Sequence, residues 1–263
     1  MSVIRLGAVD YLNARPLVYG LELRTDLFSV RYDVPSKCAA LLHEGTIDVG
    51  MIPSIEFLRG PSYRIVPGMS IASDGPVASV ALFSTTPVEQ VRSIAADTSS
   101  RTSAGLLRVL CLERFGIDPA FHPMAPEPAT MLRDCDAALL IGDPALFLDH
   151  EALGVTKVDL GEAWTSLTGL PFVWAFWAGR PGVVPPGAVA ALREARDHGV
   201  QASDELAAAY CGPERAAHGQ AYLRENIQYG FGEREVAGLR KYYELAARHG
   251  VVDATRAPLY YPS

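Results

Sequence analysis

The chain has 263 residues, of which 49% are apolar and 20% charged, and it carries a formal net charge of −7 at pH 7. This composition provides for a substantial core and excludes a disordered chain. The acidic balance argues against nucleic acid or an anionic membrane as the main partner. We therefore expect a small-molecule partner, and the length allows either one large domain or two of ordinary size.

The first residues, MSVIRLGAVDYLN, lack the apolar core of a signal peptide, and the longest apolar run, residues 170–178, is too short to cross a bilayer. The four cysteines, at positions 38, 111, 135 and 211, are widely spaced and include no CxxC pair. We interpret them as unpaired thiols in a reducing compartment rather than as metal ligands. The sequence thus predicts a cytoplasmic protein.

The first third of the chain alternates between strand-like and helix-like patterns. One helix is expected to begin at Pro35, with Ser36 as its N-cap and Gly45 as its C-cap. A shorter helix is expected through residues 19–23. Strands are predicted at residues 4–9, 28–33, 48–53 and 77–83. Such alternation is typical of a largely parallel sheet with helices on its faces.

A second series of strands and helices follows, and the chain is mainly helical from residue 188 to residue 249. The second series has predicted strands at 91–96, 120–124, 137–141 and 171–177, and predicted helices at 102–115 and 128–133. We predict two lobes, the first built from residues 1–85 and 175–263 and the second from residues 86–174. The chain then crosses twice between them, which makes a hinge, and a ligand binds in the cleft between the lobes.

Residues 97–103, DTSSRTS, lie where a buried strand gives way to a helix. A helix cap needs one hydroxyl, so the surplus indicates a bound anion. The junction offers backbone N–H groups and the positive end of the helix dipole. Ser100, Thr102 and Ser103 could add hydroxyl donors, and Arg101 could make a two-point contact with a carboxylate. The alternative is an ordinary helix cap with an arginine paired to a nearby acid.

Asn13 and Ser79 are further polar candidates for the cleft. Asn13 follows the first predicted strand, where ligands bind in open α/β sheets, although an asparagine in such a proline-containing loop is also an ordinary turn residue. Ser79 lies inside an apolar strand pattern, where its hydroxyl either bonds to the backbone or points into the cleft.

Further predictions concern two acidic residues, a bend in the backbone and three aromatic side chains. Asp143 comes directly after a predicted strand, where it is either a general base or polar contact in the cleft or the cap of the next helix. Gly169 and Pro171 indicate a tight bend that brings the backbone close to the cleft. Glu56 could contact a ligand, but a surface or hinge salt bridge is the favoured interpretation. Three aromatic side chains are expected in the core: Trp174, Phe176 and Trp177.

Six segments of the chain, taken in order, resemble a known family. They are YLNARPL (11–17), LLHEGTIDVGMIP (41–53), GPVASVALFS (75–84), DTSSRTSAGLL (97–107), ALLIGDPAL (138–146) and DLGEAWTSLTGLPFVWAFW (159–177). The second segment is similar to a turn that recurs in type II periplasmic-binding-protein folds. As a set, the segments resemble the chorismate dehydratases of the futalosine route to menaquinone, and the segment YLRENIQYGFGEREVAGLRKYYELA is similar to the C-terminal part of that family.

The resemblance implies an α/β fold with two lobes, the type II periplasmic-binding-protein-like fold, with a hinge and an interlobe cleft. It also implies an enzyme that eliminates water from chorismate to give 3-[(1-carboxyvinyl)oxy]benzoate. Asn13 and Ser79 take catalytic roles in this interpretation. Substrate contacts are expected from Ser100, Arg101, Thr102, Ser103, Gly142, Asp143 and Gly169. We expect no cofactor and no metal, because no Gly-rich phosphate loop, GxGxxG or HExxH motif is present.

Two alternatives remain at this stage. Dihydroxynaphthoate synthase of the same pathway shares the fold, but it has a catalytic histidine directly after the strand that matches AALLI, where this chain has Gly142 and Asp143. None of the six histidines of the chain lies at these two positions. The other alternative is a non-catalytic cytoplasmic binding protein or sensor for a small carboxylate. The sequence leaves the oligomeric state open, with a dimer as one option.

Overall fold

The computed structural model of the chain describes residues 3–262. Its strands are β1 (Ile4–Val9), β2 (Phe28–Asp33), β3 (Val49–Pro53), β4 (Arg64–Ile65), β5 (Ile71–Ser73), β6 (Val80–Ser84), β7 (Ser93–Asp97), β8 (Ala120–Met124), β9 (Ala137–Ile141), β10 (Thr156–Asp159) and β11 (Phe172–Gly179). Its α-helices are α1 (Arg15–Val18), α2 (Pro35–Glu44), α3 (Glu56–Arg59), α4 (Thr102–Leu110), α5 (Pro128–Asp134), α6 (Gly142–Leu146), α7 (Leu160–Thr168), α8 (Pro186–Gln201), α9 (Ser203–Cys211), α10 (Ala216–Ala221) and α11 (Glu233–Arg248).

The strands form two separate sheets. The first has the order β2-β1-β3-β11-β4, with β5 paired to β11, and the second has the order β10-β6-β9-β7-β8. In each sheet, parallel βαβ units make the centre and an antiparallel strand joins from a distant part of the chain. The chain passes from the first sheet to the second between β5 and β6, and it returns between β10 and β11. The predicted two-lobed α/β fold with two crossings is confirmed.

The lobe boundaries remain a prediction, and sheet membership favours moving them. Strand β6 was expected in the first lobe, but it hydrogen bonds to β9 and β10 of the second sheet. Sequence patterns cannot assign this strand, because its partners lie more than 50 residues further along the chain. We propose that the second lobe begins between β5 and β6 rather than at residue 86 and ends between β10 and β11.

Most elements of the predicted order are present, with shifted ends. The predicted helix at 19–23 is instead α1 followed by a 3₁₀ turn at Leu21–Leu23. Helix α2 starts after Val34, with Pro35 in its first turn, so Ser36 is not the N-cap. Gly45 does end α2, in the left-handed conformation with φ +78°.

The chain after α7 completes the first sheet and packs over it. As predicted, β11 brings Trp174, Phe176 and Trp177 into the core, and α8 to α11 follow as a helical tail. Tyr242 of α11 contacts Trp164 of α7, which places the tail against the crossing segment. Within residues 3–262, no helix has the length and apolar character to span a bilayer.

Candidate active site

The candidate site is a cleft that both sheets line. Its polar and glycine residues are Tyr11, Asn13, Ser79, Ser100, Thr102, Ser103 and Gly142, and its apolar walls include Val9, Pro53, Ile71, Ile141 and Trp174. Among the described residues, no Asp, Glu, His, Lys or Arg side chain lines it. The interior is narrow, with about 60 Å³ open to the centres of water-sized molecules.

One end of the cleft is the N-terminus of α4. Ser100 Oγ accepts a hydrogen bond from the Ser103 N–H (3.2 Å), and Thr102 Oγ1 accepts one from the Ile55 N–H (3.2 Å). Because the Ser100 oxygen serves as an acceptor, its own proton remains for a ligand. The first turn of a helix also has N–H groups without intrahelical partners. This end of the cleft is therefore suited to an anion, without a formal positive charge.

Arg101 lies apart from these hydroxyls. Its guanidinium is 2.8 Å from the Glu56 carboxylate, which also contacts Arg59 (2.9 Å) and His43 (3.0 Å). Burial would raise the pKa of Glu56, but the hydrogen bond from His43 and the charges of Arg101 and Arg59 bring the pKa below its usual value. The structure thus pairs Arg101 with an acid, which is the alternative stated above, and Glu56 forms the salt bridges expected of it.

Ser79 and Asn13 both line the cleft, and tyrosines of the C-terminal tail hold each of them. The Tyr222 hydroxyl donates a hydrogen bond to Ser79 Oγ (2.7 Å), and both residues are buried. Burial raises the pKa of Tyr222, while the side chains of Ser79 and Asn13 act on its hydroxyl in the opposite sense. The Tyr229 hydroxyl donates to the Asn13 carbonyl oxygen (2.9 Å) and fixes the loop after β1. The two predicted catalytic residues therefore converge.

A strained turn positions Ser79. The Ser79 N–H bonds to the Val77 carbonyl (2.7 Å), and Ala78 between them has φ +61°, the one positive φ among the described non-glycine residues. The Asp159 carboxylate accepts from the N–H groups of Val77 (3.0 Å) and Ala78 (2.7 Å). Lys157 Nζ donates to the Ala78 carbonyl (3.0 Å). This turn is the reason that the strand predicted from residue 77 begins only at Val80.

Gly142 and Asp143 start α6 at the end of β9. Gly142 lines the cleft with φ +61°, and a Cβ there would lie 3.0 Å from the Tyr11 ring, so this position requires glycine. Asp143 does not line the cleft: its carboxylate accepts from the Tyr210 hydroxyl of α9. Burial raises the pKa of Asp143, although the bonds from Tyr210 and the Leu12 N–H oppose the shift. Asp143 thus ties the second sheet to the loop after β1 and to the tail.

Gly169 lies outside the cleft lining as well. It ends α7 in the left-handed conformation, with φ +70°, and its carbonyl accepts from Arg234 (3.4 Å). Sequence reasoning missed Tyr11, Asp159 and Tyr222, although all three lie within or beside the motifs that carry the resemblance. Among residues 3–262, no three His, Cys, Asp or Glu side chains are grouped to hold a metal ion.

Two sheets, two chain crossings and a cleft between them define a periplasmic-binding-protein-like fold. The aliphatic sulphonate-binding protein of Escherichia coli superposes with a TM-score of 0.64 at 19% identity, covering 100% of this chain and 94% of that one. A protein from Archaeoglobus fulgidus superposes with a TM-score of 0.76 at 18% identity, covering 95% of this chain and 98% of that one. At these identities, the likeness concerns the fold alone.

Sequence comparison is more specific. The model of a family described as menaquinone biosynthesis matches residues 4–248. The chain is also 32% identical over 277 aligned residues to a chorismate dehydratase of Thermus thermophilus, with 98% of each chain covered. The chain therefore belongs to the menaquinone biosynthesis family.

Proposed function

We propose that the protein is a lyase that eliminates water from chorismate and releases 3-[(1-carboxyvinyl)oxy]benzoate, in the cytoplasm. The single observation that carries the proposal is the full-length similarity to a chorismate dehydratase. The cleft supports it, because it combines an uncharged site suited to an anion, the buried Ser79 hydroxyl and apolar walls suited to a ring. Neither nucleic acid nor membrane has a part in this reaction.

The N-terminus of α4 would bind the ring carboxylate of chorismate. Loss of the C3 proton gives a dienolate whose negative charge spreads onto that carboxylate through the ring double bond. Backbone N–H groups and the hydroxyls of Ser100, Thr102 and Ser103 would stabilise this charge as it develops. Their fixed positions matter most here, because donors that need no reorganisation lower the barrier more than mobile ones.

Ser79 and Asn13 would act at the other reacting carbon. When the C4–O bond breaks, the oxygen leaves with the bonding electron pair and needs a proton to depart as water. The Ser79 O–H can donate at this position, and Asn13 can orient the hydroxyl before it leaves. The ring then becomes aromatic, which makes the elimination strongly downhill.

The proton acceptor would be the substrate itself. The titratable side chain that lines the cleft is Tyr11, whose pKa is raised by burial and which is therefore a neutral phenol. The enolpyruvyl carboxylate of chorismate can reach the C3 proton through a six-membered arrangement, which gives intramolecular removal a large advantage in effective concentration. The enolpyruvyl carboxyl group then returns this proton to Ser79 Oγ, which restores the serine hydroxyl, so the net reaction removes the C3 proton and the C4 hydroxyl as one water.

Product analysis tests this function. EDTA-treated protein is incubated with chorismate, the products are separated by chromatography, and their masses are measured by mass spectrometry. The expected result is a product lighter than chorismate by one water and containing an aromatic ring, formed without added cofactor. Chorismate that binds unchanged would instead support a binding protein or sensor. If chorismate does not bind, the cyclic futalosine-derived substrate of dihydroxynaphthoate synthase is the next to test.

A further inference from the structure

Tyr222 lies in a short irregular segment of the helical tail. Residues Tyr222–Asn226 form a π-helical turn directly after α10, and π turns inside helices are frequent at functional sites because they redirect side chains. The redirected phenol is almost wholly buried and ends at the cleft wall, 2.7 Å from Ser79 Oγ. A buried hydroxyl so placed is costly unless it is satisfied.

The hydrogen bonding at Ser79 leaves the proton of its own hydroxyl for the cleft. A serine oxygen has one proton, and the Tyr222 proton already occupies one of its lone pairs. No acceptor within residues 3–262 makes a hydrogen bond with the Ser79 O–H, so that proton is left to point into the cleft that Ser79 lines. Asn13 lines the same cleft as Ser79.

We propose that Tyr222 is a positioning residue for water elimination. Its hydroxyl donates to Ser79 Oγ, and Ser79 in turn donates to the leaving C4 oxygen, so this chain of donors aims the Ser79 proton at that oxygen. Hydrogen bonds in such a chain polarise one another, so the serine becomes a better donor when tyrosine donates to it. The inference rests on the proposed dehydration of chorismate, and it explains why the C-terminal tail is needed at the cleft.

The test is a double-mutant cycle on turnover. Tyr222→Phe removes one oxygen and is expected to lower kcat about 100-fold. Its Kd for chorismate should stay within about threefold of the wild-type value, because the ring carboxylate is held elsewhere. In a protein that already has Ser79→Ala, Tyr222→Phe should have no further effect, since the tyrosine acts through the serine. Tyr261→Phe is the matched control, because Tyr261 is a buried tyrosine that donates to the Arg180 carbonyl away from the cleft.

The possible outcomes separate the two proposals. A wild-type protein that binds chorismate without turnover overturns the proposed function and this inference with it. An active wild-type protein whose kcat survives Tyr222→Phe overturns the inference alone, as does an additive effect of the two substitutions. If Tyr222→Phe does not fold, fluorinated tyrosine at position 222 keeps the shape but donates more strongly. It should raise kcat, and an unchanged kcat would contradict the inference.

Discussion

Asp97 is a buried carboxyl at the end of β7 that is only half satisfied. Its Oδ1 accepts from the N–H (2.8 Å) and the hydroxyl (2.6 Å) of Ser99, while its Oδ2 is buried without a hydrogen-bond partner among the described residues. Burial raises the pKa of Asp97, although the Ser99 bonds oppose the shift. The charged form therefore destabilises the folded state above this raised pKa, and the penalty vanishes below the ordinary carboxyl pKa.

Asp97→Asn is accordingly expected to stabilise the protein at neutral pH. The free energy of unfolding should rise by about 1 kcal/mol at pH 7, because an amide can still accept from Ser99 and carries no charge. The advantage over the wild type should shrink as the pH falls through the raised pKa. Urea denaturation from pH 4 to pH 8 measures it, with exposed Asp134→Asn as the control. A gain that does not change with pH would contradict this explanation.

At the residue scale, the sequence predicted those cleft-lining side chains whose position depends on local structure. Asn13, Ser79 and the α4 hydroxyls all line the cleft, because each follows or precedes a strand end that local patterns reveal. The sequence did not predict the contacts that Arg101, Asp143 and Gly169 make. Their partners are residues that lie 45, 67 and 65 positions away in the chain, which no local pattern reveals.

At the scale of elements, the Asp159 carboxylate connects the start of α7 to the turn before β6. It caps α7 by accepting from the N–H groups of Gly161 (2.9 Å) and Glu162 (3.0 Å), and it also holds the turn before β6. A single carboxylate therefore fixes a helix start and the strained turn that positions Ser79. Strain of this kind persists only where the surroundings enforce it.

Asp159→Ala is expected to release this turn. The free energy of unfolding should fall by about 2 kcal/mol, because the cap and the turn lose a common acceptor. Turnover should fall by more than this loss of folded protein explains, because Ser79 becomes mobile. Denaturation and kcat measured on the same preparation separate the two effects. Asp149→Ala, which removes an exposed acceptor for one N–H, is the control, and equal kcat losses in both variants would argue against the role of the turn.

The elements themselves were largely predictable, and their ends were not. Strands β1, β2 and β9 run as their sequence patterns indicated: β1 and β9 are buried almost throughout, and β2 is a parallel strand at the edge of the first sheet. Strand β6 starts at Val80, three residues later than predicted, because the Asp159 carboxylate holds a turn at Ala78. The tail was correctly predicted as helical, but its π turn follows from tertiary packing around Tyr222.

At the scale of the molecule, the cleft is defined by the two crossings and by the tail. The loop after β1, the turn before β6 and the N-terminus of α4 meet there, although they lie far apart in the chain. Tyr210 and Tyr222 of the tail contact this assembly from one side. The order of the predicted strands, helices and motifs predicted the two lobes, whereas the contacts of the tail beside the cleft are long-range and only the structure reveals them.

The most direct measurement compares turnover and binding in the wild type, Asn13→Ala and Ser79→Ala. Chorismate affinity is measured by calorimetry, and product formation is followed in the same samples. Both variants should bind chorismate with affinities within about tenfold of the wild-type value, and their kcat should fall at least about 100-fold. An active wild type whose two variants retain full kcat would contradict the assignment of the reaction to this cleft.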